Sequence, residues 1–475
     1  MKTKSIKIVL TCLILSGAFT QVFARIIRIP ADHATIREGI QASVNGDTVV
    51  VSPGEYFENL NFRGKKIVLT SLWYQARDTS YIRTTIINGS QPVQADSASC
   101  VIFSHGEDAS TVLQGFTLTG GKGTKWRDIH NGSSYREGGG ILIELSSPVI
   151  RYNIIIYNRA IVTTGGVESA GGGGIRIGDG NPQILNNIIA FNQGKYGAGI
   201  VLNYTGVSIK NNLIAYNTGS SEYYGGAGIW SYNVHGTDER IIENNTIVNN
   251  EATTGTGGVL AYSCKLTLRN NIVWGNKPAA KQTYSAEGGS MVATYCDIQN
   301  GQAGKGNIKT DPLMSDDGFQ LTDLSPCLDK GDSTDIYNDP EESGHPGMAH
   351  TPARATLRND MGAYGGPGAA ITGYLGGVAT EVGTAYLQEN PELLQNYPNP
   401  ASQYTVISYT LPSAEPVELK VTDLSGRVIS DIPIGLTPAG QHRFTLDVSR
   451  FQNGNYFYCV ELHDQRMVKK LMVVR

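Results

Sequence analysis

Ile184-Leu-Asn-Asn187-Ile-Ile-Ala-Phe-Asn192 and Ile209-Lys-Asn-Asn212-Leu-Ile-Ala-Tyr-Asn217 align without a gap, and three more segments align with them. These are Ile150-Arg-Tyr-Asn153-Ile-Ile-Ile-Tyr-Asn158, Ile242-Glu-Asn-Asn245-Thr-Ile-Val-Asn-Asn250 and Leu268-Arg-Asn-Asn271-Ile-Val-Trp-Gly-Asn276. Each holds an aliphatic residue, an asparagine three positions later and another asparagine five positions after that. The first asparagines are spaced by 34, 25, 33 and 26 residues. A glycine cluster running into an aliphatic recurs between them: Gly138-Gly-Gly-Ile141, Gly172-Gly-Gly-Ile175, Gly197-Ala-Gly-Ile200, Gly226-Ala-Gly-Ile229 and Gly257-Gly-Val259. Each period therefore holds three short strands: a after the glycines, b ending at the first asparagine, and c ending at the second. Strands this short with no helical period between them exclude α/β units. One coil cannot bury its own apolar face, so the repeat predicts stacked coils, a parallel β-helix. The asparagines are expected at one-residue corners with positive φ, their amides bonding up the column.

Composition agrees. Of 475 residues, 57 are glycine and only 17% are charged, which excludes a coiled coil or helical bundle. The formal charge of −4 and the lack of a basic block give no reason to expect nucleic acid as a partner. Lys2, Lys4 and Lys7, the apolar run from Ile8 to Phe19 and Val22-Phe23-Ala24 read as a signal peptide over 1–24. No later run is long and apolar enough for a membrane helix, so no transmembrane segment is expected in the mature chain. Cys100, Cys264, Cys296, Cys327 and Cys459 form no zinc pattern; Cys264 with Cys296 is a conceivable disulfide, and separate buried thiols are the alternative.

The flanking sequence extends the solenoid over 25–366. Thr35-Ile-Arg-Glu-Gly-Ile-Gln-Ala-Ser-Val44 has aliphatics at 36, 40 and 44 and predicts a short helix, capped by Thr35, that plugs the first coil. Residues 367–392 read as a linker. Over 393–475, alternating strands such as Val406-Ile-Ser-Tyr-Thr410, Val417-Glu-Leu-Lys-Val421 and Tyr456-Phe-Tyr-Cys-Val-Glu-Leu462 predict a small antiparallel β-sandwich.

Two resemblances sharpen this. Ile29-Pro-Ala-Asp, the run Gly46-Asp-Thr-Val-Val-Val-Ser-Pro-Gly-Glu-Tyr-Phe-Glu-Asn59, Tyr295-Cys-Asp-Ile-Gln299, Leu324-Ser-Pro-Cys-Leu-Asp329 and Asp360-Met-Gly-Ala-Tyr364 resemble secreted right-handed β-helix proteins of the pectin lyase-like superfamily. That resemblance implies a right-handed coil and leaves activity open, because the superfamily mixes lyases, hydrolases, esterases and non-enzymes. Leu394-Gln-Asn-Tyr-Pro-Asn-Pro400, Asp423-Leu-Ser-Gly426-Arg, Gly454-Asn-Tyr456 and Lys469-Lys-Leu-Met-Val-Val-Arg475 resemble the C-terminal sorting domain of type IX secretion substrates. It implies that the type IX machinery is a partner of 393–475 and that the protein is secreted or held at the cell surface of a Gram-negative bacterium. The expected fold class is thus all-β, a right-handed parallel β-helix followed by a small sandwich.

For function, alternate residues of strand a face away from the coil interior. With Ile141, Ile175, Ile200, Ile229 and Val259 inward, an exposed strip is expected from Leu142/Glu144, Arg176/Gly178, Val201/Asn203, Trp230/Tyr232 and Leu260/Tyr262. Flat rings with polar neighbours suit a sugar chain, whose faces are apolar and rims polar. Long insertions flank the strip, Lys122-Gly-Thr-Lys-Trp126-Arg-Asp128-Ile-His130, Ser221-Glu-Tyr223-Tyr224 and Tyr232-Asn-Val-His235-Gly-Thr-Asp238-Glu-Arg240. The expected polysaccharide-binding residues are Trp230, Tyr232, Tyr262, Asn203, Trp126 and His235. A lyase acting on an acidic glycan would need a base such as Arg176 beside Glu144 and Asp179, and Ca²⁺ to neutralise the uronate. A hydrolase would need paired carboxylates, for which Glu144 and Asp179 are the candidates. No cofactor is required for binding alone. The Asp-Asp, Gly-His-Gly and Arg-Ile-Lys motifs of pectin hydrolases and the Trp-Ile-Asp-His run of pectate lyases are absent. Asp329, Asp332 and Asp335 lack EF-hand spacing and read as turn-forming carboxylates. A purely structural or adhesive surface protein is the remaining alternative.

Overall fold

A computed structural model describes residues 24–233, 240–315, 319–370, 391–396, 398–411, 415–437, 440–462 and 465–474. The signal-like stretch, most of the 367–392 linker, His235 and Asp238 lie outside the described residues.

The repeat folds as stacked coils. Strand a of each coil joins an eight-stranded parallel sheet running from Leu60–Asn61 through Ile141–Glu144, Ile175–Gly178, Ile200–Asn203 and Ile229–Tyr232 to Val259–Tyr262 and Thr283–Ala286. Strands b and c build parallel sheets of ten and nine strands. Ile141, Ile175, Ile200, Ile229 and Val259 lie opposite one another in register and are fully buried in one continuous core. The glycine cluster is a matter of space. Gly172, at φ +60, turns the chain into strand a, and a Cβ on Gly174 would lie 2.5 Å from the Gly199 carbonyl of the next coil.

Both asparagine columns form as expected, but the left-handed corner does not fall on them. In the first column Asn153 Nδ2 donates to Asn187 Oδ1 (3.2 Å), Asn187 to Asn212 (3.0 Å), Asn212 to Asn245 (3.0 Å) and Asn245 to Asn271 (3.0 Å). The second column runs from Asn158 through Asn192, Asn217 and Asn250 to Asn276 at 2.8–3.1 Å. Positive φ belongs to the preceding residue: Tyr152, Asn186, Asn211, Asn244 and Asn270 before the first column, and Tyr157, Phe191, Tyr216 and Asn249 before the second. The reason lies in the pairing. Each ladder asparagine before the last of its column also donates its backbone N–H to the next Oδ1, as Asn187 does to Asn212 at 2.9 Å, and the last two donate to Cys296 Sγ and Gln282 Oε1. The side chain of each must therefore point into the coil, so the chain turns one residue earlier. Bulky residues are rare in the left-handed region, and here the rings recover contact by stacking: Tyr157 on Phe191 at 5.2 Å and Phe191 on Tyr216 at 5.0 Å.

At the N-terminal end the plug helix spans Ile36–Ala42 with a Thr35–Glu38 capping box, burying Ile36 and Ile40. It stops before Val44, which is exposed, so the third aliphatic of the expected face is not part of it. Cys100, Cys264, Cys296, Cys327 and Cys459 are free and buried. The conceivable Cys264–Cys296 pair is not formed, since Cys264 Sγ faces Ser231 O (3.3 Å) while Cys296 Sγ closes the first asparagine column beside Asn271.

Asp332 acts in a turn, accepting from Thr334 Oγ1 (2.9 Å), and Asp335 opens a short 3₁₀ turn, Asp335–Tyr337, whereas the Asp329 carboxylate bridges to a distant segment, accepting from Thr356 Oγ1 (2.7 Å). The following segment docks on the b–c corner, where Asn244 Nδ2 donates to Asp360 O (3.0 Å) and Asn211 Nδ2 to Ala363 O (3.1 Å). Burial, then the neighbouring Asp360 charge, pushes the Asp339 carboxyl up to about 8; burial likewise raises Asp360 to about 7. A carboxyl raised in the fold stabilises it fully below its unfolded value of about 4, and that contribution is lost as pH rises through the folded value. Hydrogen-exchange protection of 359–366 should therefore fall between pH 5 and pH 9. Asp339→Asn should flatten the dependence; an equally steep profile in the variant would refute this role.

The C-terminal unit is a two-sheet antiparallel sandwich. One sheet holds Glu392–Leu393, Tyr404–Leu411 and Gly440–Asp447; the other holds Val428–Thr437, Glu415–Thr422, Gly454–Glu461 and Arg466–Val473. Alternate residues such as Ile407, Leu419, Tyr458 and Leu471 fill its core. Tyr458 Oη accepts from Asn396 N (2.8 Å) and donates to Leu394 O (2.7 Å), pinning the Leu394–Pro400 segment.

Candidate functional site

The outward side chains of sheet a point as expected, yet most are covered. Leu142, Arg176, Val201, Trp230 and Leu260 are all buried. The insertion carrying Trp126 is a β-hairpin, Gly123–Arg127 paired antiparallel with Ser134–Glu137, and with Ser97–Ala98 and Ala170–Gly171 it forms a four-stranded sheet flanking that face. Tyr196, Val201, Trp230, Leu260 and Ala286 make a separate small core outside sheet a, with Tyr232, Tyr262 and Tyr284 against it.

Arg176 is the centre of this layer, and it is fully buried rather than surface-exposed. Its Nε pairs with Glu137 Oε2 (3.1 Å), its Nη1 pairs with Glu144 Oε2 and donates to Ile143 O (3.3 Å), and its guanidinium carbon lies 3.6 Å from the Trp126 ring centroid. Gly178 makes this fit, because a Cβ there would collide with the guanidinium. Trp126 Nε1 donates to Glu137 Oε2 (2.6 Å), and Tyr196 Oη donates to Glu137 Oε1. Burial pushes the Glu137 carboxyl up against the pull of Arg176, pushes Arg176 down, and raises the Tyr196 phenol well above its ordinary value.

Beside this block lies a groove of about 180 Å³. Tyr196 and Trp230 lie at its base, and Tyr135, Tyr223, Tyr232 and Tyr262 offer partly exposed rings. Asp128, Asn131, Glu137 and Asn203 supply its polar lining. Tyr196 meets Tyr223 and Trp230 edge-on at 5.1 Å, and Trp230 stacks on Tyr262 at 5.9 Å. Asn203 Oδ1 is buried with no hydrogen-bond partner among the described residues, an uncommon state for a native polar atom. At the rim His130 Nε2 lies 2.8 Å from Asp179 Oδ1, its ring stacked 3.7 Å from Tyr204.

The structure thus gathers Trp230, Tyr232, Tyr262 and Asn203 on one groove. It places Trp126 beside them over Arg176, and it ties the side chains of the lyase constellation into ion pairs. Glu144 is held by Arg176, Asp179 by His130, and Arg176 is enclosed by its carboxylates and an indole. Trp230 keeps only 6% of its surface and donates Nε1 to Tyr223 O (3.0 Å), so it supports the groove more than it presents a face. Among the described residues no three His, Cys, Asp or Glu side chains gather to hold one metal ion. Glu137 and Tyr196 escaped the sequence reading, although a signal marks them. Each immediately precedes a left-handed glycine, Gly138 or Gly197, at equivalent positions of their coils. Gly171 holds that position in the coil between, and a Cβ there would strike the Tyr196 ring at 2.7 Å.

Residues 140–303 match the family described as right handed beta helix region, and residues 395–474 match the secretion system C-terminal sorting domain. The sorting tail indicates type IX secretion to the cell surface or the extracellular space, and hence interaction with that machinery. No curated protein matches the chain. Among solved structures, a pectin methylesterase in complex with a hexasaccharide is similar at 8% identity and a TM-score of 0.33, over 61% of this chain and 92% of that one.

Proposed function

Because the chain is a right-handed β-helix protein with a C-terminal secretion sorting domain, we propose that it is exported to bind carbohydrate in the groove above sheet a. The supporting observation is the groove itself, four partly open tyrosine rings around Asn203 Oδ1, which has no hydrogen-bond partner among the described residues. Ring faces suit the apolar faces of a pyranose, and a lone acceptor suits a hydroxyl. Among the described residues, the ionisable side chains lining the groove other than its tyrosines are the carboxyl groups Asp128 and Glu137, and none is a lysine, arginine or histidine. This favours a neutral or amino sugar over a uronate. An acidic glycan cleaved here by Arg176 would need that side chain to leave two buried carboxylates.

The test is calorimetric titration of the full chain with a panel of neutral and amino-sugar oligosaccharides. For the best ligand, Tyr262→Ala should weaken binding by about 1–3 kcal/mol, the scale of one lost ring stack by analogy with bases on aromatics. Tyr262→Phe should retain affinity. Equal affinity in Tyr262→Ala and wild type, or no binding across the panel, would overturn the proposal.

A further inference from the structure

The first coils and the plug helix enclose a second cleft, of about 340 Å³, with a different chemistry. Arg37, Arg63 and Lys65 line it together with the amides of Asn59 and Asn61, and none of its lining side chains is acidic. The cations are positioned but not neutralised there. Arg37 Nη2 donates to Asn59 O (3.1 Å), and Lys65 Nζ donates to Gln41 O (2.6 Å) and Ser43 O (2.5 Å). Arg63 is exposed and sits at φ +51, a left-handed non-glycine residue held by its N–H on Asn61 Oδ1 (2.8 Å).

The carboxylates close in sequence are engaged elsewhere. Glu58 accepts the backbone N–H groups of Ile36 and Arg37 (both 2.9 Å), and Asp96 pairs with Arg136 (2.6 Å). Asp47, which acts on Lys65, is taken by Arg25 (2.7 Å). Burial lowers the Lys65 pKa against the opposing pull of the Asp47 charge.

We infer that this cleft is an anion subsite that takes a sulfate ester or carboxylate carried on a glycan, with Arg37, Arg63 and Lys65 as its donors. The glycan part of the inference rests on the reading of the groove; the anion site does not. Geometry links the two. Strand register places Asn61 beside Ile102, then Leu142, Arg176, Val201 and Trp230, on one face of sheet a. Five steps separate cleft from groove, roughly 24 Å at the usual strand spacing. The two ends of one exported face therefore select opposite properties, charge at the cap and ring faces beyond Arg176.

The experiment titrates the full chain with dextran sulfate, polygalacturonate, neutral dextran and inorganic sulfate. Saturable, salt-weakened binding of at least one polyanion is expected, and which one binds separates the sulfate ester from the carboxylate. The double variant Arg37→Gln/Arg63→Gln, altered only at exposed side chains, should lose about tenfold in that affinity. Lys265→Gln, at an exposed cation on the strand Lys265–Arg269 and outside both cleft and groove, should leave it unchanged, and titration of Tyr262→Ala with neutral oligosaccharides reads the groove separately. Unchanged affinity in the double variant, an equal loss in Lys265→Gln, binding of neither polyanion, or binding of inorganic sulfate alone would each overturn the inference.

Discussion

Asn212→Ala should lower the stability of the solenoid by roughly 3–6 kcal/mol, the largest single-residue effect expected outside the glycine column. Asn212 Oδ1 accepts from both Asn187 N (2.9 Å) and Asn187 Nδ2 (3.0 Å), and its Nδ2 donates to Ile184 O (2.8 Å), Lys210 O (2.9 Å) and Asn245 Oδ1 (3.0 Å). All of these groups lie at a buried corner where water cannot replace the lost amide. Alanine would leave several donors and acceptors unpaired at once, each worth about 1–3 kcal/mol. Against a usual total of 5–15 kcal/mol the coil stack would be marginal. Ser208, half-buried on the b strand that leads into Asn212, is the control, and Ser208→Ala should stay within about 0.5 kcal/mol. The check is the urea midpoint of the solenoid transition. A shift in Asn212→Ala no larger than that of Ser208→Ala would contradict the ladder account.

Arg176→Met is the second large effect. It leaves Glu137 and Glu144 buried without their shared cation, and breaking a buried pair in this way costs about 3–5 kcal/mol. The damage should also be local, because Trp126 loses the guanidinium beneath its ring. Adding Glu137→Gln to the variant should recover part of the loss, as neighbouring sites of one network do not add. Near-UV circular dichroism of the indole and tyrosine bands reads the local change, and chemical unfolding reads the stability. An Arg176→Met protein with wild-type stability would mean that the guanidinium is not the organiser of this layer.

These cases show what could be read from the chain beforehand. The asparagine and glycine columns repeat with a period, and a period reports on neighbours that are equivalent from coil to coil. Inward Ile175 and outward Arg176 were therefore both placed correctly. The corner conformation was assigned one residue late, since the pattern marks which residue is buried and not where the backbone turns. The cover over sheet a was not legible. It comes from a hairpin around Trp126 that occurs once, and a single insertion carries no period to show where it packs. The same cover turned an expected exposed strip into a buried Arg176 and a narrower groove. Tyr232, Tyr262 and Asn203 remained candidates because they sit beyond its edge.

The claim on which the functional reading turns is that sugar sits on those rings. A crystal structure of the full chain, soaked with the tightest-binding oligosaccharide of the panel, tests it directly. A pyranose face against Tyr232 or Tyr262, with a hydroxyl donating to Asn203 Oδ1, is the predicted result. An oligosaccharide bound elsewhere at saturation, with the groove empty, would contradict it.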